Sequence, residues 1–574
     1  MALRVALVTP FAWSQPHDVN EHVAGLATEL RARGHRVTVL APSNRARELA
    51  AGRRALATGS DAELIALGPA VPISRLSRMG VPVGVRANLA VALANGGFDI
   101  VHGFEPGLPS LSYLALRDTS ALTVATFLSP ERLAYPPART RRERLLGRLD
   151  ALLATSRETA EAAAERFPGH YELVPLGVEV LAGPAKRNVV ALEWRPTERH
   201  LARALVSELK ALPDWELALM RTRPLGSRPP LPRALRGRVH VRTALDAAAR
   251  RDVLAEAAVF VPALEGSPRV ALEASAAGAA VAAPPGRSLQ PELAAAEAAR
   301  LMEDPSFRAA RARAGVMAAK EQSYTALADT VMAVYTDITA RRRPASSRLP
   351  LADRDFIVAD LHMHTNWSHD CSIEVGDLLD HAEAEGIGAI AVTDHNVIGG
   401  ALEAVERARG RNVIVIPGEE IKTDEQGEVI GLFLREEIPR GLTFADTVEA
   451  IRAQGGLVYV PHPFDRLHAI PDAATLHRHL AEIDVFEVYN ARLLFEAYND
   501  EAVRFAQKYN LTAGAGSDAH VLPGVGTGAV RLRRFDGPEE FLLSLRSAEV
   551  LRRPKSLAYL QGLKWVAQAK ERVR

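Results

Sequence analysis

Short apolar runs alternate with longer stretches of helical spacing through the first 340 residues. Residues 4–9 and 36–40 are apolar runs typical of buried strands. Between them, residues 19–33 place apolar side chains three and four positions apart, and Gly34 follows where a helix would end. A strand, a helix and a second strand in this order predict parallel pairing with a right-handed crossover.

The same alternation starts again near Asn188, after an extended segment at 173–179. The N-terminal half is therefore predicted to hold two parallel sheets, one in residues 1–180 and one in residues 181–340. The Ala-rich zone at 243–316 keeps helical spacing and is predicted to form packed helices.

A break in the pattern separates this half from the rest of the chain. Residues 341–352 begin with Arg-Arg-Arg-Pro, lack apolar periodicity and are predicted to be an exposed linker. In the third region, 353–574, strand-like segments alternate with helical stretches. These segments end at His364, His395, Glu420, Phe433, His462, Asn490 and His520. Such a repeat predicts a β/α barrel with its site at the carboxyl ends of the strands.

Histidines and carboxylates gather at these strand ends. His362 and His364 are two residues apart, so a strand presents both on one face, where they can bind one metal ion. Their recurrence after successive strands is not expected of histidines that only fill a core. Nitrogen and oxygen ligands without thiolates suit zinc, manganese or iron. They outnumber the four ligands of a single structural zinc, so a cluster of two or three ions is expected.

The third region resembles the PHP (polymerase and histidinol phosphatase) family. It contains, in order, His-x-His, Ser-x-Asp, Thr-Asp-His-Asn, Gly-x-Glu, His-Pro-Phe and Gly-Ser-Asp-Ala-His motifs. The resemblance implies a distorted β/α (TIM-like) barrel and a phosphoesterase site with two or three divalent ions. Carried over by motif, it implies His362, His364, Glu420 and Asp518 for one ion, Glu420 again with His462 for a second, and Asp370, His395 and His520 for a third.

Two positions depart from the family pattern. Asp370 follows His369, so either side chain is a candidate for the third ion, and Asp370 is preferred. Glu428 stands where many relatives have a ligand histidine, and a carboxylate there either binds an ion or leaves that ion weakly held. Adjacent ions would lower the pKa of a bound water and neutralise phosphate oxygens. This chemistry suits hydrolysis of a small phosphorylated substrate.

Three further side chains near the motifs are candidates for catalysis. Arg466 and Arg492 are candidates for binding the substrate phosphate, and a plain surface role is equally open. Asp394 directly precedes a ligand motif histidine and is predicted to orient a ligand histidine or a water. We therefore predict a metal-dependent phosphoester hydrolase. Fold-level analogy cannot name its phosphoester.

The N-terminal half resembles GT-B glycosyltransferases of family 4. The resemblance rests on Thr-Pro-Phe at 9–11, the helix and strand at 22–42, Phe-Asp-Ile-Val-His at 98–102, Val-Pro-Leu-Gly-Val at 174–178, and the spaced acids Glu265 and Glu273. It implies two Rossmann-like lobes in a GT-B arrangement, with the two acids holding a nucleotide sugar. By spacing alone, two acids on an Ala-rich helix would more often be a solvated face.

Three catalytic elements of that family are altered. Its Gly-Gly loop reads Pro-His-Asp-Val-Asn at 16–20, and its Thr-Phe-His segment ends on Leu128. Its Gly-Arg-x4-Lys element reads Glu-Trp-Arg at 193–195, with Arg199 as a candidate substitute for the Lys. Because Trp194 carries no cation and a lost glycine limits approach to phosphate, a noncatalytic or regulatory domain is favoured. The alternatives are an active transferase, giving a bifunctional protein, and a module that senses a nucleotide or sugar.

Composition narrows the class of protein further. Apolar residues make up 48% and charged residues 24%, which is typical of a globular chain. The net charge of +1 gives no support to a long nucleic-acid partner. Cys371 is the only cysteine, which excludes an internal disulfide and a thiolate zinc site.

Membrane and targeting signals are weak. No apolar stretch is long enough to span a bilayer and no signal sequence is recognised, so a cytoplasmic protein is expected. Residues 556–574 have leucines at helical spacing and basic residues at the end. They are predicted to form a helix closing the barrel, with peripheral contact to an anionic membrane as the alternative. The oligomeric state is left open.

Overall fold

The computed structural model of the protein consists of two compact units that divide after Ile338. The first unit contains two parallel sheets, and the second contains a single curved sheet. The predicted C-terminal helix at 556–574 lies outside the residues that the structure describes. Those residues are 2–59, 61–72, 80–82, 84–181, 185–222, 235, 237–263, 267–282, 291–344, 351–466 and 470–553.

The first lobe alternates strands with helices. Its strands are β1 (Arg4–Val8), β2 (Arg36–Ala41), β3 (Leu64–Ala66), β4 (Ala70–Pro72), β5 (Gly80–Pro82), β6 (Ile100–Phe104), β7 (Leu122–Phe127), β8 (Ala151–Ala154) and β9 (Tyr171–Leu173). Its helices are α1 (Asp18–Ala32), α2 (Ala46–Thr58), α3 (Arg86–Asn95), α4 (Leu111–Asp118), α5 (Arg139–Leu146) and α6 (Arg157–Ala164). Seven strands form a parallel sheet in the order β3-β2-β1-β6-β7-β8-β9.

Local chemistry sets the first crossover. At the start of α1, His17 Nδ1 accepts a hydrogen bond from the Val19 amide. The helix ends just before Gly34, whose φ of 87° a side chain would disfavour. The chain can then enter β2 beside β1, as the apolar pattern predicts.

The second lobe is built in the same way. Its strands are β10 (Arg187–Trp194), β11 (Glu216–Arg221), β12 (Val239–Thr243), β13 (Ala257–Val261) and β14 (Ala280–Val281). Its helices are α7 (Arg199–Glu208), α8 (Ala247–Glu256), α9 (Pro268–Ala276), α10 (Pro291–Glu303) and α11 (Pro305–Glu321). The last helix of the first unit, α12 (Tyr324–Ala340), contacts the first lobe, where Tyr335 Oη lies 2.8 Å from His102 Nδ1. The sheet is parallel, in the order β12-β11-β10-β13-β14.

The Ala-rich zone at 243–316 corrects one prediction. It is not wholly helical, because it includes β13 and β14. Every residue of β13 is buried, since the strand lies inside the parallel sheet. A strand buried on both faces has no alternation of apolar and polar residues, so its pattern resembles that of a buried helix.

The second unit is a curved nine-stranded sheet with helices. Its strands are β15 (Phe356–Met363), β16 (Ala389–Val392), β17 (Ile414–Lys422), β18 (Glu428–Leu432), β19 (Leu457–Val460), β20 (Val485–Asn490), β21 (Thr512–Gly516), β22 (Gly528–Arg533) and β23 (Glu549–Arg552). Its helices are α13 (Val375–Ala384), α14 (Gly399–Arg407), α15 (Phe444–Ala453), α16 (Ala473–Arg478), α17 (Glu496–Tyr509) and α18 (Pro538–Leu545). The strand order is β21-β20-β19-β18-β17-β16-β15-β22-β23.

The sheet curls so that β21, at one end of the strand order, approaches β15. The Asp518 amide donates to the His362 carbonyl at 2.8 Å, and the His364 amide donates to the Ala519 carbonyl at 3.1 Å. These bonds join the chain after β21 to the end of β15. The predicted α/β class, with two Rossmann-like lobes followed by a distorted barrel, is confirmed.

Strand β18 differs from the predicted barrel. It runs antiparallel to both β17 and β19, so Phe433, just after β18, is not at the edge where the parallel strands end. Glu428, at the start of β18, is at that edge instead. The repeat of apolar segments indicated a strand here but contained no signal for its direction.

The predicted linker is only partly an exposed segment. Arg342 and Arg343 are half-buried, and the Arg342 guanidinium donates to the Lys508 carbonyl. The Arg343 guanidinium donates to the carbonyls of Leu480 and Ala481. Long arginine side chains can bury their stems and still find carbonyl partners, which a charge-rich sequence does not reveal. Residues 345–350 of the segment lie outside the described residues.

Candidate metal centre

The candidate ligands lie at one edge of the barrel sheet. His362 is in β15, His364 follows it, and Glu420 is near the end of β17. The others follow the carboxyl ends of parallel strands: Asp370, His395, His462, Asp518 and His520. Glu428 reaches the same edge because an antiparallel strand begins where its parallel neighbours end.

Four buried side chains converge on one point. The Nε2 atoms of His362 and His364 each lie 3.5 Å from Glu420 Oε2. Asp518 Oδ1 lies 3.4 Å from His364 Nε2 and 4.0 Å from His362 Nε2. Both Nε2 atoms are buried without a hydrogen-bond partner. Such orphaned atoms of ligand type fit a metal ion bound by all four side chains.

The second oxygen of Glu420 faces another histidine. Glu420 Oε1 lies 3.0 Å from His462 Nε2, and Glu428 Oε2 lies 3.8 Å from the same nitrogen. Glu420 therefore presents one oxygen to each of two groups of ligands. The bridging role that the family resemblance implies for Glu420 would need this placement, and it stays a prediction.

A third group of candidate ligands approaches the same Glu420 oxygen as His362 and His364. His395 Nδ1 is 3.0 Å from Glu420 Oε2, and His395 Nε2 is 3.8 Å from Asp370 Oδ1. Asp370 Oδ2 is 3.0 Å from His520 Nε2. His369 is exposed, with its ring centroid 5.8 Å from that of His395. Of the two candidates, the geometry therefore favours Asp370.

Electrostatics couple the three groups. Burial lowers the pKa of His362, but the carboxylates of Glu420, Asp518 and Glu487 outweigh burial and raise it well above its ordinary value. Burial also lowers the pKa of His395 and of His462, but nearby carboxylates, above all Glu420, outweigh it and raise both pKa values to about 9. Although burial favours its neutral form, the neighbouring histidines hold the pKa of Glu420 well below its ordinary value. The centre therefore favours bound positive charge.

Between the two lobes of the first unit, a predicted sugar-nucleotide ligand already has a partner. Arg250 of α8 donates to both oxygens of Glu273, at 2.6 and 2.7 Å. The same guanidinium donates to both oxygens of Glu21 on α1, at 2.6 and 3.3 Å. Arg250 is only 5% exposed. Glu265, the other predicted ligand, lies outside the described residues.

The altered catalytic elements have structural roles. Trp194 is 2% exposed and packs in the core of the second lobe. Arg195 pairs with Glu193 at 2.9 Å, and Arg199 is exposed at the first turn of α7. The Leu128 amide donates to Glu105 Oε1 at 3.2 Å.

The first lobe also contains a cluster of one arginine and two acids. Arg132 donates to Glu105 Oε1 at 3.2 Å and to both oxygens of Asp18 at 3.3 Å. Glu105 is fully buried, and burial raises its pKa to about 8. Burial also acts on Asp18, but contacts with His17 and Arg132 lower the pKa of that carboxyl. The two acids therefore share one cation unequally.

Comparison with known families divides the chain in the same way. Residues 19–180 match Glycosyltransferase Family 4, residues 360–511 match the PHP domain, and residues 496–550 match the family described as PHP-associated. The uncharacterized protein MJ0417 of Methanocaldococcus jannaschii is 33% identical over 211 residues, which are 34% of this chain and 84% of that relative. The chain belongs to the PHP family. It also carries a glycosyltransferase family 4 domain, so both predicted resemblances are confirmed.

Two further relatives concern the glycosyltransferase half. The phosphatidyl-myo-inositol mannosyltransferase of Propionibacterium freudenreichii is 31% identical over 204 residues, which are 35% of this chain and 52% of that protein. The chain thus spans about half the length of this relative. A solved glycosyltransferase of Rickettsia africae is similar with a TM-score of 0.41 and 14% identity, covering 59% of this chain and 99% of that one. Among the described residues, we find no helix of the length and apolarity that a bilayer crossing requires.

In the PHP domain, Asp394 accepts hydrogen bonds from two residues next to the candidate ligand His364. Its Oδ1 accepts from the Thr365 amide at 2.7 Å and from Ser368 Oγ at 2.7 Å, and its Oδ2 accepts from Thr365 Oγ1 at 2.6 Å. Ser368 Oγ in turn lies 3.3 Å from His364 Nδ1. Gly400 allows this packing, because a Cβ there would lie 2.3 Å from Asp394 Oδ2. Asp394 is therefore placed to position His364, one of its two predicted roles.

The two arginine candidates differ in placement. Arg492 Nη1 lies 3.2 Å from Asp518 Oδ1 and within 3.1 Å of both ring nitrogens of His520. A cation this close to the ligands is well placed to meet a phosphate bound there. Arg466 is exposed, four residues after His462, on the same edge of the barrel.

Sequence reasoning missed two buried acids of the PHP domain. Asp360 accepts from the amides of Ser517 and Gly526 at 2.9 and 2.8 Å, and burial raises its pKa to about 6. Glu487 lies against His362 and is 1% exposed. The signal that could have found Glu487 is an acid within the apolar strand Val-Phe-Glu-Val-Tyr-Asn. Buried acids in such a strand usually have a specific partner.

Proposed function

We propose that the PHP domain is a metal-dependent hydrolase of small phosphoesters. The observation that supports this most is the sharing of Glu420 between ligand groups, with one oxygen toward His462 and the other toward His362, His364 and His395. All are side chains that zinc, manganese or iron accepts. The eight proposed ligands are His362, His364, Asp370, His395, Glu420, His462, Asp518 and His520. Glu428 is a ninth candidate for the second ion.

The residues around the centre have distinct tasks in this proposal. When bound, two or three divalent ions would supply an acidified water and neutralise charge on the phosphate. Arg492 binds a phosphate oxygen, since its guanidinium adjoins Asp518 and His520. Arg466 contacts the substrate at the rim. Asp394 holds Thr365 and Ser368, and through Ser368 it fixes the ring of His364.

Hydrolysis of p-nitrophenyl phosphate by the full chain tests the proposal. We expect turnover that requires added Mn²⁺ or Zn²⁺ and vanishes in the double variant His362→Ala, His364→Ala. A nucleotide and a sugar phosphate would then define the substrate class. Activity that survives in the double variant, or without any divalent ion, would refute the assignment.

We further propose that the glycosyltransferase family 4 domain is not an active transferase. The supporting observation is the engagement of Glu273 by Arg250, which is itself shared with Glu21. A carboxylate already bound on both oxygens by a guanidinium is a poor partner for a sugar or ribose hydroxyl. The buried Trp194 and the absence of a histidine at Leu128 point the same way.

Calorimetric titration of the full chain with UDP- and GDP-sugars separates the alternatives. We expect no binding at micromolar concentration. Binding with formation of a glycosylated product would instead make the protein bifunctional. Binding without transfer, together with a changed rate of phosphoester hydrolysis, would make this domain a sensor that controls the hydrolase.

A further inference from the structure

Glu487 makes four polar contacts at the base of the metal centre. Oε1 accepts from Tyr459 Oη at 2.8 Å and faces His362 Nδ1 at 3.2 Å. Oε2 accepts from the His462 amide at 2.6 Å and from Asn490 Nδ2 at 3.0 Å. One carboxylate thus contacts the ring of one candidate ligand and the backbone of another.

An irregularity in β20 gives Glu487 this position. Glu487 pairs with Gly514 and Tyr489 pairs with Ala515, so Val488 is an extra residue in the ladder. In a regular strand, residues three apart point to opposite faces. The extra residue brings Asn490 back to the side of Glu487, and such bulges commonly redirect side chains at functional sites.

A glycine makes room for the contact with His362. A Cβ at Gly516 would lie 2.3 Å from His362 Cβ and 2.9 Å from Glu487 Oε1. Both distances are too short for any side chain at this position. The close packing of β21 against His362 and Glu487 therefore depends on glycine at 516.

The contact fixes which nitrogen of His362 faces the other ligands. A proton on Nδ1 is held by Glu487 Oε1, which leaves Nε2 to face Glu420 and Asp518. A carboxylate on the far side of a ligand imidazole commonly sets its orientation and basicity.

The contact with His462 acts on the backbone instead. His462 has a φ of 25°, outside the region that residues with a Cβ normally adopt. Its amide donates to Glu487 Oε2 at 2.6 Å, so a short bond to a buried acceptor holds this conformation. The strained backbone in turn aims the ring at Glu420.

We propose that Glu487 is the positioning residue that couples two ion sites, by orienting His362 for the first ion and the backbone of His462 for the second. The proposal rests on the proposed function only in placing these histidines as metal ligands. An amide cannot replace the carboxylate in both contacts, because it has one acceptor oxygen and one donor nitrogen. With its oxygen toward His462, it donates to His362 Nδ1 and forces the proton to Nε2. With its oxygen toward His362, its NH₂ opposes the His462 amide.

The test is zinc affinity of the full chain, measured by competition with a chromophoric chelator. For Glu487→Gln we expect a 10- to 100-fold weaker affinity, the range found when an outer partner of a ligand is lost. Glu419→Gln is the matched control, since Glu419 is also buried but its carboxylate accepts from the Ile438 amide. The visible spectrum of the Co²⁺-loaded protein should change in Glu487→Gln and not in the control.

A second variant guards against a failure to fold. Glu487→Asp keeps two acceptor oxygens but is one methylene shorter, so we expect an intermediate loss of affinity. Unchanged zinc affinity and Co²⁺ spectrum in folded Glu487→Gln would overturn the proposal, as would failure of both variants to fold. If zinc binding follows the expectation but the parent protein hydrolyses no phosphoester, the role of Glu487 stands and the proposed function falls.

Discussion

The PHP domain and the first unit each hold a cluster of acids with little exposure, but they balance the negative charge differently. In the PHP domain, Glu420 faces imidazoles, and the Nε2 atoms of His362 and His364 beside it have no hydrogen-bond partner. Between the lobes of the first unit, Glu21 and Glu273 are bound by Arg250. A guanidinium is a permanent cation that satisfies an acid within the protein, whereas an imidazole can release its proton and leave the negative charge of the acid to a divalent ion.

This difference shows that an acid at a family motif position must be interpreted together with its partners in the fold. Glu273 occupies the spacing of a sugar-nucleotide ligand, and Glu420 occupies the spacing of a metal ligand. What distinguishes them is the partner supplied by another part of the chain. Four changes test whether the contrast between the two clusters holds.

The largest effect is expected from Glu420→Gln. The amide cannot serve as an anionic bridge, so at least one equivalent of bound metal and essentially all phosphoesterase activity should be lost. Metal content after dialysis and the rate on p-nitrophenyl phosphate measure this. Glu419→Gln is the control, because adjacent residues in β17 point to opposite faces. A fully active Glu420→Gln enzyme would remove the contrast between the clusters.

Arg250→Ala tests the cluster between the lobes. It leaves the half-buried Glu21 and Glu273 without their cation, so we expect a loss of about 3 kcal/mol in the free energy of unfolding of the first unit, the lower end of the range for a broken buried ion pair. Urea denaturation measures the loss. Arg251→Ala is the control, because Arg251 pairs with Glu179 at 2.7 Å with both side chains about half exposed, and such a pair contributes less than about 1 kcal/mol. Equal losses in the two variants would show that Arg250 is no special partner.

Glu105→Gln should change how the free energy of unfolding depends on pH. The pKa of Glu105 is raised to about 8, so its folded form holds a proton that the unfolded chain releases above its ordinary pKa of 4.5. Its contribution to stability is therefore complete below pH 4.5 and declines toward pH 8, by about 1.4 kcal/mol per pH unit. Between pH 5 and 7, the parent should lose about 3 kcal/mol relative to Glu105→Gln.

Urea unfolding at the two pH values measures this difference. The exposed Glu131→Gln serves as its control and should follow the parent at both values. A parallel pH response of parent and Glu105→Gln would mean that Arg132 keeps Glu105 ionised.

The smallest effect is expected from Glu428→Gln. Glu428 Oε2 lies 3.8 Å from His462 Nε2, further than Glu420 does. Loss of its charge should therefore weaken the binding of one ion without abolishing the centre. We expect about a tenfold higher Mn²⁺ concentration for half-maximal activity, within the range of losing an outer partner. An unchanged Mn²⁺ requirement would exclude Glu428 as a ligand.

The sequence predicted most of the PHP centre because its chemistry is local. His362 and His364 are brought together by strand geometry alone, and their neighbours follow other strands of one barrel edge. The fold class and both family resemblances are confirmed, while the individual ligands and domain limits stay predictions.

The features that could not be predicted are contacts between residues far apart in the sequence. Arg250 and Glu21 are 229 residues apart, and no local pattern links them. Glu487 and His362 are separated by 125 residues, and the extra residue Val488 disguises the face on which Glu487 lies. The direction of β18 likewise depends on its neighbours in the sheet.

The seam of the barrel has a consequence for biosynthesis. Asp360 accepts from Ser517 and Gly526, which are 157 and 166 residues further along the chain. During translation, the first ligand histidines emerge long before Asp518, and the barrel cannot close until the segment after β21 has left the ribosome. Contacts of such long separation form slowly. The two lobes of the first unit can fold while the barrel is still being synthesised, so the candidate ligands come together late in the folding of the chain.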